Sequence, residues 1–292
     1  MANIEHLTIL KQGASTWNMW RAEHPHERID LSEAPLRGMR LVGANFQEAF
    51  MVRADLRGAD LSHANLVRAN LSEANLSEGQ YRAANLDQAL LVGATLRKAN
   101  FDEAQLWLGQ LGNALLCEAS FAGAKMANAT LAKSNLAHAT LNAADLSFAL
   151  LGEAVLTEAN FARANLWKAS LEGAHLEGAN FRFTNLQKAN LSHCVLQGTN
   201  LARANLAHAS FFQADLIDAD LAKTNFHQAI LVETDLRGVN LTKVTGVSSE
   251  QLQVALTDET TQPPCQLVVH EEDWWSEKQE LYWQPLQLVG RV

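Results

Sequence analysis

From Leu31 to Leu241 a large apolar residue occupies every fifth position, 43 times in succession and without a slip. Each of these centres is Leu, Phe, Met or Tyr. A period of five matches neither the 3.6 of a free helix nor the 2 of a long strand. Within each unit, however, a small residue precedes the centre by two positions, most often Ala, as in Ala44, Ala49 and Ala54. Met39, Gly79, Gly109, Cys194, Thr199 and Val239 are among the exceptions. Residues two apart lie on one side of an extended segment. The remaining residues must then turn the chain so that the next unit can repeat. Nine glycines, among them Gly38, Gly43 and Gly58, sit two residues after a centre, where a turn can use their tolerance of positive φ. The pattern predicts a coil of short extended pieces joined by regular corners. Small and large residues point inward, and three residues of each five point outward.

Segments such as Ala54-Asp55-Leu56-Arg57-Gly58, Ala69-Asn70-Leu71-Ser72-Glu73 and Gly43-Ala44-Asn45-Phe46 resemble the pentapeptide repeat family. The resemblance implies an all-β solenoid, a right-handed quadrilateral parallel β-helix with four pentapeptides per coil and short α-helical caps. On that basis the repeat region makes about 10–11 coils, a rod about 50 Å long at ~4.8 Å per coil. Spacing alone leaves the number of sides open. Five of the eight aromatic centres share a column at period 20, and five also do at period 15. Contiguity favours 20, because Tyr81, Phe101 and Phe121 are then successive, as are Phe161 and Phe181. Four columns follow, named by their first centres Leu31, Leu36, Leu41 and Phe46. The Leu41 column carries the aromatic stack. The Phe46 column carries an amide ladder from Asn45 to Asn225, interrupted by Lys125 and Asp145 and expected to hydrogen-bond along the rod.

A solenoid exposes unpaired edges at both ends, so the flanks are read as caps. Residues 1–30 are expected to form a helical N-terminal cap, residues 31–244 the β-helix, and residues 245–292 a C-terminal cap with a linker and an acidic, Trp-rich tail. Residues 2–12 read as a short helix with Ile4, Leu7 and Leu10 on one face. Trp17, Met19 and Trp20 read as a plug on the first coil, and Trp17–Arg21 is similar to a lead-in found in pentapeptide proteins of photosynthetic bacteria. Ser248 or Ser249 can cap a helix through Leu256, and polar Thr257–Pro264 resembles a linker. The last piece places Trp274, Trp275, Tyr282 and Trp283 beside Glu271, Glu272 and Asp273. It is either a cap or a segment for docking or dimerisation. The family resemblance adds that relatives often dimerise through their C-terminal ends.

Chemistry is sparse. No motif for a phosphate-binding loop, a zinc helix or a nucleophile elbow is present, so neither an enzyme nor a cofactor is expected. His208 and His227 lie nearly one coil apart, and Asp215, Asp218, Asp220 and Asp235 form a local acidic group. Both are read as solvated residues rather than a metal site. Cys117, Cys194 and Cys265 are widely separated, which suggests neither a disulfide framework nor zinc and makes a cytoplasmic location the expectation. No run reaches the ~18 apolar residues of a membrane helix, and no basic leader opens the chain.

The net charge is −9, but residues 31–244 hold 18 Lys/Arg against 20 Asp/Glu, whereas residues 245–292 hold two against eight. Arg163, Arg203, Lys223 and Lys243 stack at one outward position, yet a near-neutral rod lacks the field that nucleic acid requires. The resemblance also raises DNA mimicry toward a type II topoisomerase, which calls for an acidic rod. The favoured expectation is a rigid, non-catalytic scaffold that presents a flat face to an unidentified protein. Its contact residues are expected to be Trp107, Leu108, Phe148, Leu150 and Trp167. The only two tryptophans of the repeat region share one outward position three coils apart, and large aromatics clustered on a surface mark interfaces.

Overall fold

The computed structural model describes residues 1–267, and the repeat region is a right-handed quadrilateral β-helix. Parallel bridges join residues twenty apart along each side, as in Asp30–Phe50, Asn45–Asn65 and Leu150–Ser170. Twenty residues per coil make four five-residue sides, which settles the period in favour of the contiguous aromatics. Every one of the 43 centres is buried, none more than 2% exposed. In the Leu41 column the rings lie nearly parallel. Tyr81 and Phe101 are 4.6 Å apart, Phe101 and Phe121 5.1 Å, and Phe161 and Phe181 4.8 Å. The coil repeat imposes this face-to-face stacking, which free aromatic pairs rarely choose.

The corners explain how a five-residue unit closes. The centre's carbonyl accepts from the amide three residues on, as Leu31 does from Ala34. The residue two after the centre is left-handed at 42 of the 43 corners, and 33 of those residues are not glycine. Positive φ at the third turn position alone marks a type II geometry. Glycine therefore signals the corner, but the fold imposes it on Glu, Lys, Leu and Phe as well. Each such residue costs about 1–2 kcal/mol relative to a right-handed conformation. Coil-to-coil hydrogen bonds offset that cost: Glu33 N–H, for example, donates to Val52 C=O at 2.8 Å.

The Asn and Asp residues between the small residue and the centre have two roles. Their Oδ1 accepts from the amide two residues on, as Asn70 does from Ser72 and Asn160 from Ala162, which satisfies the corner's remaining donor. The expected ladder along the Phe46 column forms at four steps. Asn65 donates to Asn45, Asn185 to Asn165 and Asn225 to Asn205 at 2.9–3.2 Å, and Asp145, rather than breaking the ladder, accepts from Asn165. Threonines at small-residue positions are buried but satisfied, since the Thr184, Thr224 and Thr234 hydroxyls donate to carbonyls of the preceding coil.

Two helices, α1 (Ile4–Leu10) and α2 (Ala14–Glu23), close the first coil. Trp17 is fully buried against Phe46, 5.7 Å between rings, and its indole N–H donates to Asn45 C=O. Asn18 acts as a piece of missing strand. It donates to Gly43 C=O at 2.9 Å and accepts from Asn45 N–H at 2.8 Å. The plug is therefore polar as well as apolar. The inward face of α1 is rotated from the expected one. Ile4 is 81% exposed, whereas His6 and Leu10 are buried, because His6 Nδ1 accepts from Asp30 N–H.

At the other end α3 (Ser249–Gln253) is shorter than expected. Ser248 caps it in a reciprocal box with Gln251, and Leu256 is instead drawn into a bridge with Asp235. Residues 257–264 do not behave as a linker. Gln262 bridges to Asn240 and Thr261 is buried, its hydroxyl donating to Leu236 C=O. This stretch completes the terminal coil despite its polar composition. The Trp-rich stretch from Trp274 to Trp283, and with it the expected C-terminal dimer contact, lies outside the described residues.

Gly79 replaces the usual alanine because a Cβ there would lie 2.7 Å from Cε2 of Tyr81. The Tyr81 hydroxyl is buried without a hydrogen-bond partner, and burial raises its pKa. Tyr81→Phe is expected to stabilise the protein by about 1 kcal/mol, read by chemical denaturation, because an unsatisfied hydroxyl is removed while the stack is kept. At the cap, Asn18→Leu should cost about 1–3 kcal/mol by the same measurement, as it strands a donor and an acceptor of the first coil.

Candidate protein-binding edge

Residues one and two after a Phe46-column centre form a corner of the rod, and there the register places four of the five expected contact residues. Trp107, Leu108 and Phe148 are exposed, and Trp167 is half-buried. The structure joins them in two groups. Phe148 and Trp167, on successive coils, meet edge to face with centroids 4.8 Å apart. Lys168 lies over both rings, its Nζ 4.6 Å from the Trp167 centroid and 5.4 Å from that of Phe148. Trp107 and Leu108 sit two coils before Phe148, with Ala127 and Asn128 on the coil between. The Trp107 backbone N–H is held by the Asp87 carboxylate at 2.9 Å. Leu150, 49% exposed, stands on the adjoining flat face, where it bridges Thr130 and Ser170. The edge is thus a discontinuous line of apolar groups running along the rod.

Leu108 and Phe148 have φ of 54° and 58°. A bulky residue is costly in that region, and nine comparable corners hold glycine. Glycine at the equivalent corners shows that closure of the coil does not require a Leu or Phe there.

The repeat register also builds a second cluster, of which the sequence singles out Arg163 and Arg203 as stacked cations but not Phe183 or Arg182. Phe183, 40% exposed and also left-handed, lies among Arg163, Arg182 and Arg203, each 5.2–5.6 Å from its ring centre. The signal was present at period 20, where Phe183 interrupts the column of cations from Arg163 to Lys243.

The other polar candidates have structural roles. His208 and His227 meet edge to face at 5.7 Å, and no group of three or more metal-ligating side chains occurs among the described residues. Asp215 and Asp220 accept backbone amides of their own turns. The Arg237 guanidinium holds the Asp235 carboxyl below the usual carboxylate range, chiefly by hydrogen bonding. Burial pushes the Cys194 thiol up to about 12, and its Sγ lies 3.0 Å from Leu171 C=O. The void between the last coil and α3 is lined by Phe226, Leu231, Leu236, Leu241, Val247 and Leu252, with no polar group to orient a substrate. No described helix is long and apolar enough to cross a membrane.

A family model for pentapeptide repeats matches residues 40–78, 82–116, 110–147 and 139–178, and a pentapeptide repeat region model matches 169–245. The chain belongs to the pentapeptide repeat family. Among solved structures it is similar to HetL of the cyanobacterium Nostoc sp. strain PCC 7120, a pentapeptide repeat protein involved in heterocyst differentiation regulation. Identity is 31% and the TM-score 0.60, over 74% of this chain and 94% of HetL. A pentapeptide repeat protein of the Arabidopsis thaliana thylakoid lumen matches at 28% identity and a TM-score of 0.33, over 34% of this chain and 69% of its own. QnrB1, a plasmid-mediated fluoroquinolone resistance protein, matches at 20% identity and a TM-score of 0.32, over 74% and 94%. No curated protein matches the chain.

Along this chain the same corner position holds Glu, Lys, Gly, Leu or Phe, so its effects on stability and on binding separate. Leu108→Gly should raise stability by about 0.5–1 kcal/mol in denaturant unfolding, the left-handed cost less the added chain entropy of glycine. Phe148→Gly, which also loses the Trp167 ring, should be near neutral.

Proposed function

We propose that this pentapeptide repeat protein is a non-catalytic scaffold that binds another protein along the Trp107–Trp167 edge. The observation that carries this reading is the pair of bulky apolar residues, Leu108 and Phe148, held exposed in a backbone conformation that disfavours them. Strained bulky residues that closure of the coil does not require point to a role outside the fold. The mechanism is preorganisation. A rod locked by coil-to-coil hydrogen bonds loses little conformational entropy on docking, and Lys168 already orders the Phe148–Trp167 pair. The matching models describe a repeat fold rather than an enzyme, and HetL's part in regulating differentiation agrees with action through binding. DNA mimicry toward a type II topoisomerase is the weaker reading, because residues 31–244 are close to neutral.

The test is comparative capture from host lysate. Wild-type protein is set against a Trp107→Ser, Leu108→Gly, Phe148→Gly, Trp167→Ser variant and against Leu115→Ser, an exposed position one face away. A protein held by the wild type and by Leu115→Ser but released at least tenfold by the edge variant is the expected result. Equal capture by all three removes the edge from the function. A topoisomerase as the captured protein would transfer the case to the second reading.

A further inference from the structure

Phe183 and its three arginines belong to a longer feature. At the corner that follows the Leu41 column, Arg163, Arg182, Arg203, Lys223 and Lys243 succeed one another over five coils. None of the five forms an ion pair among the described residues. On the flanking faces of the same coils the outward mid-side positions are Asn or Thr, except for Asp220, whose carboxylate is already engaged by Ala222 N–H. The corner is therefore a strip of unpaired cations around one exposed aromatic ring, on a rod whose other ion pairs are made locally. This is the surface for an acidic segment carrying aromatic residues, since carboxylates pair with guanidinium groups and indoles stack on them.

The chain contains such a segment, and it departs from the right place. Glu271, Glu272 and Asp273 are followed by Trp274 and Trp275. Cys265 N–H donates to Thr242 C=O at 3.4 Å, so the last described turn sits on this same corner, next to Lys243. Cys265 lies one coil beyond Thr242, and from there back to Arg182 is four coils, or about 19 Å at ~4.8 Å per coil. The six residues from Cys265 to Glu271 span up to ~20 Å when extended. The reach is sufficient, and the signs of charge match.

We propose that the segment from Glu271 to Trp275 docks in cis on this corner, its carboxylates against Arg182, Arg203 and Lys223 and its indoles beside Phe183. The surface is separate from the Trp107–Trp167 edge, and the proposal does not rest on that edge's function. Docking there would neutralise the most basic strip of the rod and leave the apolar edge open.

The experiment is hydrogen exchange by mass spectrometry on the full chain, following peptides from 268–283 in 50 mM salt. In the wild type these amides are expected to exchange at least tenfold more slowly than a free chain, and to lose that protection in 0.5 M salt. Arg182→Glu with Arg203→Glu should abolish it. Adding Glu271→Lys, Glu272→Lys and Asp273→Lys to the reversed protein should restore at least half. Thermal melting of each variant checks that the coils are intact, and the charge-swap rescue separates docking from misfolding. The proposal is overturned if the segment is unprotected in the wild type, or if reversal leaves its exchange unchanged. It is equally overturned if the swap fails to rescue an intact rod, or if protection rises with protein concentration, which would assign the segment to a second copy.

Discussion

The interaction on which the rest depends is the backbone hydrogen bond between residues one coil apart. A five-residue side is too short to be a stable strand alone. It persists because amides and carbonyls on both sides of it are taken up by neighbouring coils: Asn65 N–H donates to Ala44 C=O on the coil before, and Leu66 N–H donates to Asn85 C=O on the coil after. That requirement fixes twenty residues per coil, and the fixed circumference forces every corner into one geometry. Left-handed backbone at Glu33, Lys98 or Phe183 is a consequence of closure, not a property of those residues.

Closure also determines what fills the inside. The interior has room for one large and one small residue per side, repeated at the spacing of the coils. Gly79 shows how little slack exists: the larger Tyr81 is accommodated only by removing a methyl group from the neighbouring position. The buried threonines show the same limit for polar atoms: the Thr184, Thr224 and Thr234 hydroxyls each find a carbonyl of the coil before, and the Thr199 hydroxyl one of its own turn. Only the ends escape the repeat. There the missing coil is replaced by side chains, Asn18 and Trp17 at one end and Gln251 at the other, which meet the backbone groups a further coil would have met.

A filled interior moves function to the surface. The outward positions are not constrained by closure, so they can carry a pattern of their own at a pitch of one coil. Two patterns stand out, the apolar corner of Trp107, Leu108, Phe148 and Trp167 and the cationic corner around Phe183. They flank the face that bears the asparagine ladder from Asn165 to Asn225. A rigid rod keeps such corners at fixed separation, which suits recognition of one partner shape.

The repeat, the buried centres, the helical ends and the shared column of Trp107 and Trp167 were all legible in the sequence. Each is a matter of spacing along the chain, and a strict period converts spacing into position. The corner conformation was legible only where glycine marked it, because Glu or Leu carries no sign of a left-handed φ that neighbouring coils impose. The arginine cluster at Phe183 was spelled out at period 20 but needed side-chain placement to become a contact. Residues 257–264 looked like a linker, because composition reports local preference whereas Gln262 and Thr261 answer to the open edge of the last coil. The sequence alone determined which residues face inward, since alternation and period suffice for that. Tertiary structure alone decided the number of sides and which outward residues meet, because both depend on a hydrogen-bonded neighbour twenty residues away.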